Sequence, residues 1–210
     1  GVDTIITDHH ELPEILPPAY GIMNPKMLLP TSKMYEMSGA GVSYKLSVAL
    51  LEDYGKLDFA NEILYLAAIG TIADLVPLVK ENRVIAKLGL DLLNENIPIA
   101  LKALQKNAQM EIEGNITSET ISFFIAPRVN AVGRLSDASI AVECLTTEDP
   151  EVADNLAKQM EHLNRKRQEM LDQTFNEACA MIKDADLREN KAIILHDKYW
   201  HSGILGIAAS

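Results

Sequence analysis

The sequence has no apolar run near the ~20 residues that a helix needs to cross a bilayer, and no basic-then-apolar leader at its start. It is read as a soluble chain with no membrane association. Cysteine is scarce. Cys144 and Cys179 are the only two, and they lack metal-ligand spacing, which excludes a disulfide scaffold or a cysteine zinc site. Both fall in helical apolar patterns and are expected to be buried free thiols in a reducing cytoplasm. Basic residues are outnumbered, 19 against 30 acidic, for a net charge of −11. That balance excludes broad electrostatic adhesion to nucleic acid, though not a local basic surface. The opening Gly1-Val2-Asp3 and the closing run through Ser210 read as cuts through a longer protein.

What is present is a 210-residue chain, 48% hydrophobic, enough for one well-buried core and part of another. Val2 to Thr7 is a β-branched run expected to form a buried strand. Gly21 to Asn24 is a second extended piece, ended by Pro25, and Leu28 to Met37 reads as loop. Helices are predicted from Ser38 or Gly39 to Tyr54, Phe59 to Ile69, Glu81 to Asn94, Ile97 to Lys106, Thr117 to Ile125 and Ala138 to Leu145. Gly70 is taken to end the second of these, and Pro127 to break the fifth. From Glu151 to Asp184 there is neither Gly nor Pro, and apolar residues recur at helical spacing. One amphipathic helix of about 50 Å follows from 1.5 Å per residue. Ala192 to Leu195 is a last predicted strand. Few strands among many helices indicate an α/β fold with a parallel sheet.

Three constellations carry chemistry. Asp8-His9-His10 comes directly after the first strand, and in open α/β sheets ligands gather at strand carboxyl ends. Carboxylate and imidazole together suit Mn²⁺, with Mg²⁺ where oxygen ligands dominate. Adjacent side chains do not easily face one ion, so one His is expected to ligate and the other to hydrogen-bond or touch phosphate. Two surface histidines in a turn is the bland alternative. Asp74 lies in an otherwise apolar stretch, where a carboxylate is costly unless paired or metal-bound. The segment from Pro127 to Leu135 offers Arg128, Asn130, Gly133 and Arg134. Read as non-helical, it suits phosphate gripping by guanidinium forks and close backbone approach, against the alternative of an ordinary loop. Weaker signals are Gly39-Ala40-Gly41 at a helix start, Arg165-Lys166-Arg167, read as a solvated face, the methionines, read as core, and Trp200-His201-Ser202-Gly203.

Four stretches in order resemble the DHH phosphoesterase superfamily, and within it the RecJ single-stranded-DNA exonucleases: Thr7 to His10; Ile69 to Leu78 with Glu81-Asn82-Arg83; Pro127 to Leu135; and Trp200 to Ile207. The resemblance implies a parallel-sheet DHH-type domain over residues 1–150, a connector helix over 151–185 and the start of a DHH-associated domain over 186–210. It also implies two-metal (Mn²⁺ or Mg²⁺) hydrolysis of single-stranded DNA from the 5′ end, in DNA repair and recombination. By that match His9 and Asp74 are metal ligands, while Asp8 and His10 support the site or meet the scissile phosphate. Arg128, Asn130, Arg134 and His201 would hold DNA. A single-stranded-DNA-binding protein and a helicase are the implied partners. The family's aspartate-rich motif is not found ahead of Asp8, so this chain alone is expected to be inactive or nearly so and to bind metal poorly. Self-association through an open sheet edge is expected as well. The alternatives are a relative cutting oligoribonucleotides, cyclic dinucleotides or pyrophosphate, and a non-catalytic replication scaffold of the same fold.

Overall fold

The structure, a computed structural model, describes residues 1–109, 114–184 and 190–210. It divides into two compact units, one of Gly1–Pro98 with Ile112–Ala126 and one of Ile99–Glu111 with Pro127–Ser210.

In the first unit, β-branched Ile5–Thr7 forms β1 and Gly21–Met23 forms β2. They pair in parallel, Ile5 opposite Gly21 and Thr7 opposite Met23. The expected buried strand from Val2 is shorter and more open: Val2 is 91% exposed and Ile5 57%. With one partner strand among the described residues, only Ile6 turns inward.

Ser38 caps α1 (Gly39–Asp53) by accepting from the Gly41 amide, as short hydroxyl side chains do at helix starts. Helices α2 (Phe59–Ala73) and α3 (Lys80–Glu95) follow. Together they bury Met37, Val42, Leu64, Ala67, Ala68 and Ile85. Gly70 does not end α2, contrary to expectation, because its missing Cβ admits α1. A Cβ there would lie 2.5 Å from that of Ala40, so close packing offsets the propensity cost of helical glycine.

A second correction concerns Pro127. The residues Thr120–Ile125 form a π-helical turn that runs into α5 (Ala126–Leu135) without a break. In a regular helix the proline ring meets the carbonyl one turn back. The wider π turn relieves that clash, and Pro127 sits in the first turn of α5. The segment from Arg128 to Arg134 is therefore helical, not a loop.

The second unit contains α4 (Ile99–Asn107), α5 from Pro127 onward, α6 (Ser139–Thr146), α7 (Pro150–Asp184) and α8 (Ser202–Ala208). Asp149 starts α7 by accepting from the amides of Glu151 and Val152. The helix buries Ala153, Leu156, Ala157 and Met160, a stripe at helical spacing, against α4 and α6. No strand forms at Ala192 to Leu195, where Ile194 is 94% exposed; no neighbouring strand among the described residues takes up its backbone groups. Cys144 is buried as expected, but Cys179 is exposed on α7. The methionines divide likewise, Met37 and Met160 in the core and Met27 half exposed. No described helix is long and apolar enough to cross a membrane.

Candidate metal centre

β1 ends by delivering Asp8, whose amide donates to the Met23 carbonyl (3.1 Å) and so extends the strand pairing by one residue. The Asp8 carboxylate then turns the chain. Its Oδ1 accepts from the His9 amide at 2.7 Å and the His10 amide at 3.3 Å, and lies 2.7 Å from His10 Nδ1. The His10 ring and the His9 amide hold the Asp8 carboxyl below its usual range. The carboxylate in turn raises the His10 imidazole.

This tight turn draws the three neighbouring side chains together. Ligand atoms of Asp8, His9 and His10 all lie within 4.8 Å of one another, and the two rings are 4.4 Å apart. Asp74, the C-cap of α2, comes from the far end of the sequence motif to place Oδ2 3.5 Å from His9 Nδ1. Behind the ring stands Gly39, where a Cβ would lie 3.1 Å from His9 Cδ2. The glycine at the start of α1 thus gives the imidazole its place. Asp8, His9 and His10 gathered in this way, with Asp74 against His9, offer carboxylate and imidazole donors of the kind that suits a divalent ion of the Mn²⁺ type.

Asn24, which the sequence reading passed over, supports the turn. Its side-chain amide donates to the His10 carbonyl (3.0 Å), while its Oδ1 caps the 3-10 turn Pro25–Met27. The available signal was an Asn between a strand and a proline, a position that favours side-chain capping.

The other candidates lie in the second unit. Arg128 is 8% exposed, and its Nε donates to Glu161 Oε2 at 2.8 Å. Asn130 and Arg134 are exposed on the same helix, one turn apart. Arg134 donates to the Gly203 carbonyl (3.1 Å). His201 caps α8, its Nδ1 accepting from the Gly203 amide. Trp200 donates to Glu177 at 2.7 Å. The solvated-face reading of Arg165-Lys166-Arg167 holds for the first two residues only. Arg167 is half-buried and bonded to Asn164, its pKa lowered by burial and then by nearby Arg134 and Arg128. It was missed because a charge triplet in a long helix does not reveal which member turns inward.

A parallel strand ending in Asp-His-His, with a distant Asp brought to the second of the three, defines a DHH-type fold. The chain is 44% identical over 210 residues to the single-stranded-DNA-specific exonuclease RecJ of Bacillus subtilis, covering all of this chain and 26% of that protein. RecJ of Thermus thermophilus in complex with Mn²⁺ superposes with a TM-score of 0.85 at 35% identity, over 100% of this chain and 30% of that one. The Mg²⁺ complex from the same organism gives 0.79 at 34%, over 98% and 30%. No family model matches. Along its whole length the chain is homologous to the RecJ single-stranded-DNA-specific exonucleases, and it spans about a quarter of the length of the Bacillus subtilis relative.

Proposed function

We propose that this chain forms part of an enzyme that hydrolyses single-stranded DNA from its 5′ end in DNA repair and recombination. The observation that carries the reading is the convergence of Asp8, His9 and His10, with Asp74 on His9. His9 and Asp74 would hold Mn²⁺ or Mg²⁺, with Asp8 and His10 steadying the cluster or meeting the scissile phosphate. A bound divalent ion neutralises phosphate charge and lowers the pKa of a water.

The role of the chain's own residues is to hold this geometry: Asp8 curls the turn, Gly39 seats the His9 ring, and Asn24 fixes the His10 backbone. With His9 and Asp74 as ligands, the described residues leave a two-metal site incomplete, so the chain alone is expected to be inactive or nearly so. Asn130, Arg134 and His201 would contact the DNA backbone, while Arg128 acts from within through Glu161. Because the net charge is −11, DNA affinity would rest on these local cations and fall steeply with salt. Helix α7 would connect to a DHH-associated domain from residue 186. Pairing of the open β1 edge between two copies belongs to the same reading, and light scattering over a range of concentrations checks it.

The deciding experiment is Mn²⁺-dependent degradation of 5′-labelled single-stranded DNA, by this chain and by the longer protein it matches, each with Asp74→Ala. Activity in the longer protein that Asp74→Ala removes supports the reading. Activity that survives the substitution sinks it.

A further inference from the structure

The distance between His9 and Asp74 is set by elements remote in sequence, so something must register the start of α1 against the end of α2. Two hydroxyls do this. Ser38 Oγ lies 2.8 Å from Thr71 Oγ1, and both residues are fully buried. Ser38 is the N-cap of α1, immediately before the Gly39 that backs the His9 ring. Thr71 is in the last turn of α2, one turn before Asp74. A second tie runs parallel to the first: the buried Asn82 side-chain amide donates to the carbonyls of Glu36 and Pro77. One carbonyl lies just ahead of Ser38 and the other just past Asp74.

The hydroxyl pair is not needed to cap α1, since Ser38 already accepts from the Gly41 amide. Nor does Thr71 need it to be satisfied, because a helical threonine can bond the carbonyl one turn back. A hydroxyl pair has preferred distances and directions, where an apolar contact in its place would allow the helices to slide.

We propose that the Ser38–Thr71 pair, seconded by Asn82, is the positioning element of the metal cluster, fixing His9 against Asp74. These are positioning residues that touch neither ion nor substrate, and the inference rests on the metal-centre reading above.

The test uses the 210-residue chain labelled with ¹⁵N-histidine, the His9 ring signals assigned by loss in His9→Gln. Thr71→Val removes one hydroxyl at constant shape. Ser38→Gly removes the other with a residue that N-caps tolerate, so the two variants do not share one folding risk. Both are expected to move the His9 ring signals and to weaken Mn²⁺ binding, followed by water-proton relaxation, at least fivefold. Thr71→Ser is expected to restore both. Unchanged His9 signals in a folded Thr71→Val or Ser38→Gly chain overturn the proposal. If the parent chain shows no Mn²⁺ binding that Asp74→Ala removes, the metal reading has failed. The His9 signals still decide whether the pair positions the ring.

Discussion

Arg128 and Glu161 are joined across 2.8 Å with only 10% and 11% of their side chains exposed. Glu161 also accepts from Arg165, one turn along α7 and more exposed, at 2.8 Å. The pair holds α5 to α7 inside the second unit. Removing one partner of a buried ion pair leaves a desolvated charge and costs about 3–5 kcal/mol, whereas replacing both with apolar groups is often neutral. Glu161→Ala is expected to lose about 3 kcal/mol in urea unfolding, and Arg128→Met with Glu161→Leu less than about 1 kcal/mol. A loss below about 1 kcal/mol in the single variant would show that the pair is not what holds the helices.

Two glycines should respond oppositely to alanine. Gly89 of α3 faces α2 so closely that a Cβ would overlap that of Ala68 and sit 3.2 Å from the Leu64 carbonyl oxygen. Gly133 of α5 has nothing within 4 Å of that position. Gly89→Ala is expected to destabilise by about 2 kcal/mol through overpacking. Gly133→Ala should stabilise by up to about 1 kcal/mol through helix propensity. If the exposed face of α5 meets DNA, Gly133→Ala should also weaken binding while melting later. Thermal melts and fluorescence anisotropy with labelled single-stranded DNA check both.

The elements readable in the sequence were those whose signals are local. Ser38 before an apolar periodicity marks a helix start, and the Gly- and Pro-free stretch after Glu151 marks α7. The failures arise where tertiary contact overrides local rules. Gly70 stays helical because α1 needs the space, and Pro127 is accommodated by a π turn that no propensity announces. Ala192 to Leu195 has strand composition but no strand beside it among the described residues. Asp8, His9, His10 and Asp74 stand out in the sequence as candidates by their chemistry. Their geometry was not, because it depends on the Asp8 turn and on the register of α1 against α2.

The two thiols offer a pH test. Burial pushes the Cys144 thiol up to about 11 from 9.0, while Cys179 is exposed. Between these values the unfolded thiol ionises and the folded one does not, so the native state binds more protons. Stability therefore falls as pH rises from about 9 and levels off above about 11. Cys144→Ala is expected to flatten this part of the alkaline limb. In the folded chain a thiol reagent should modify Cys179 quickly and Cys144 only on unfolding.

Asp74 is placed against local preference. A carboxylate at the C-cap of α2 faces the negative end of the helix dipole. The next residue, Leu75, adopts φ +59° with its side chain 82% exposed, a conformation that favours glycine. Two locally unfavourable choices in succession beside His9 are what the proposed metal role of Asp74 would account for. Asp74→Asn should therefore leave the metal-free chain unchanged or more stable by about 0.3–1 kcal/mol. Mn²⁺ should raise the melting temperature of the parent chain in a concentration-dependent way, as any ligand of the native state does. That rise should be absent in Asp74→Asn. A variant that melts earlier without metal would make Asp74 a structural cap, and one that keeps the full Mn²⁺ shift would remove it from the metal site.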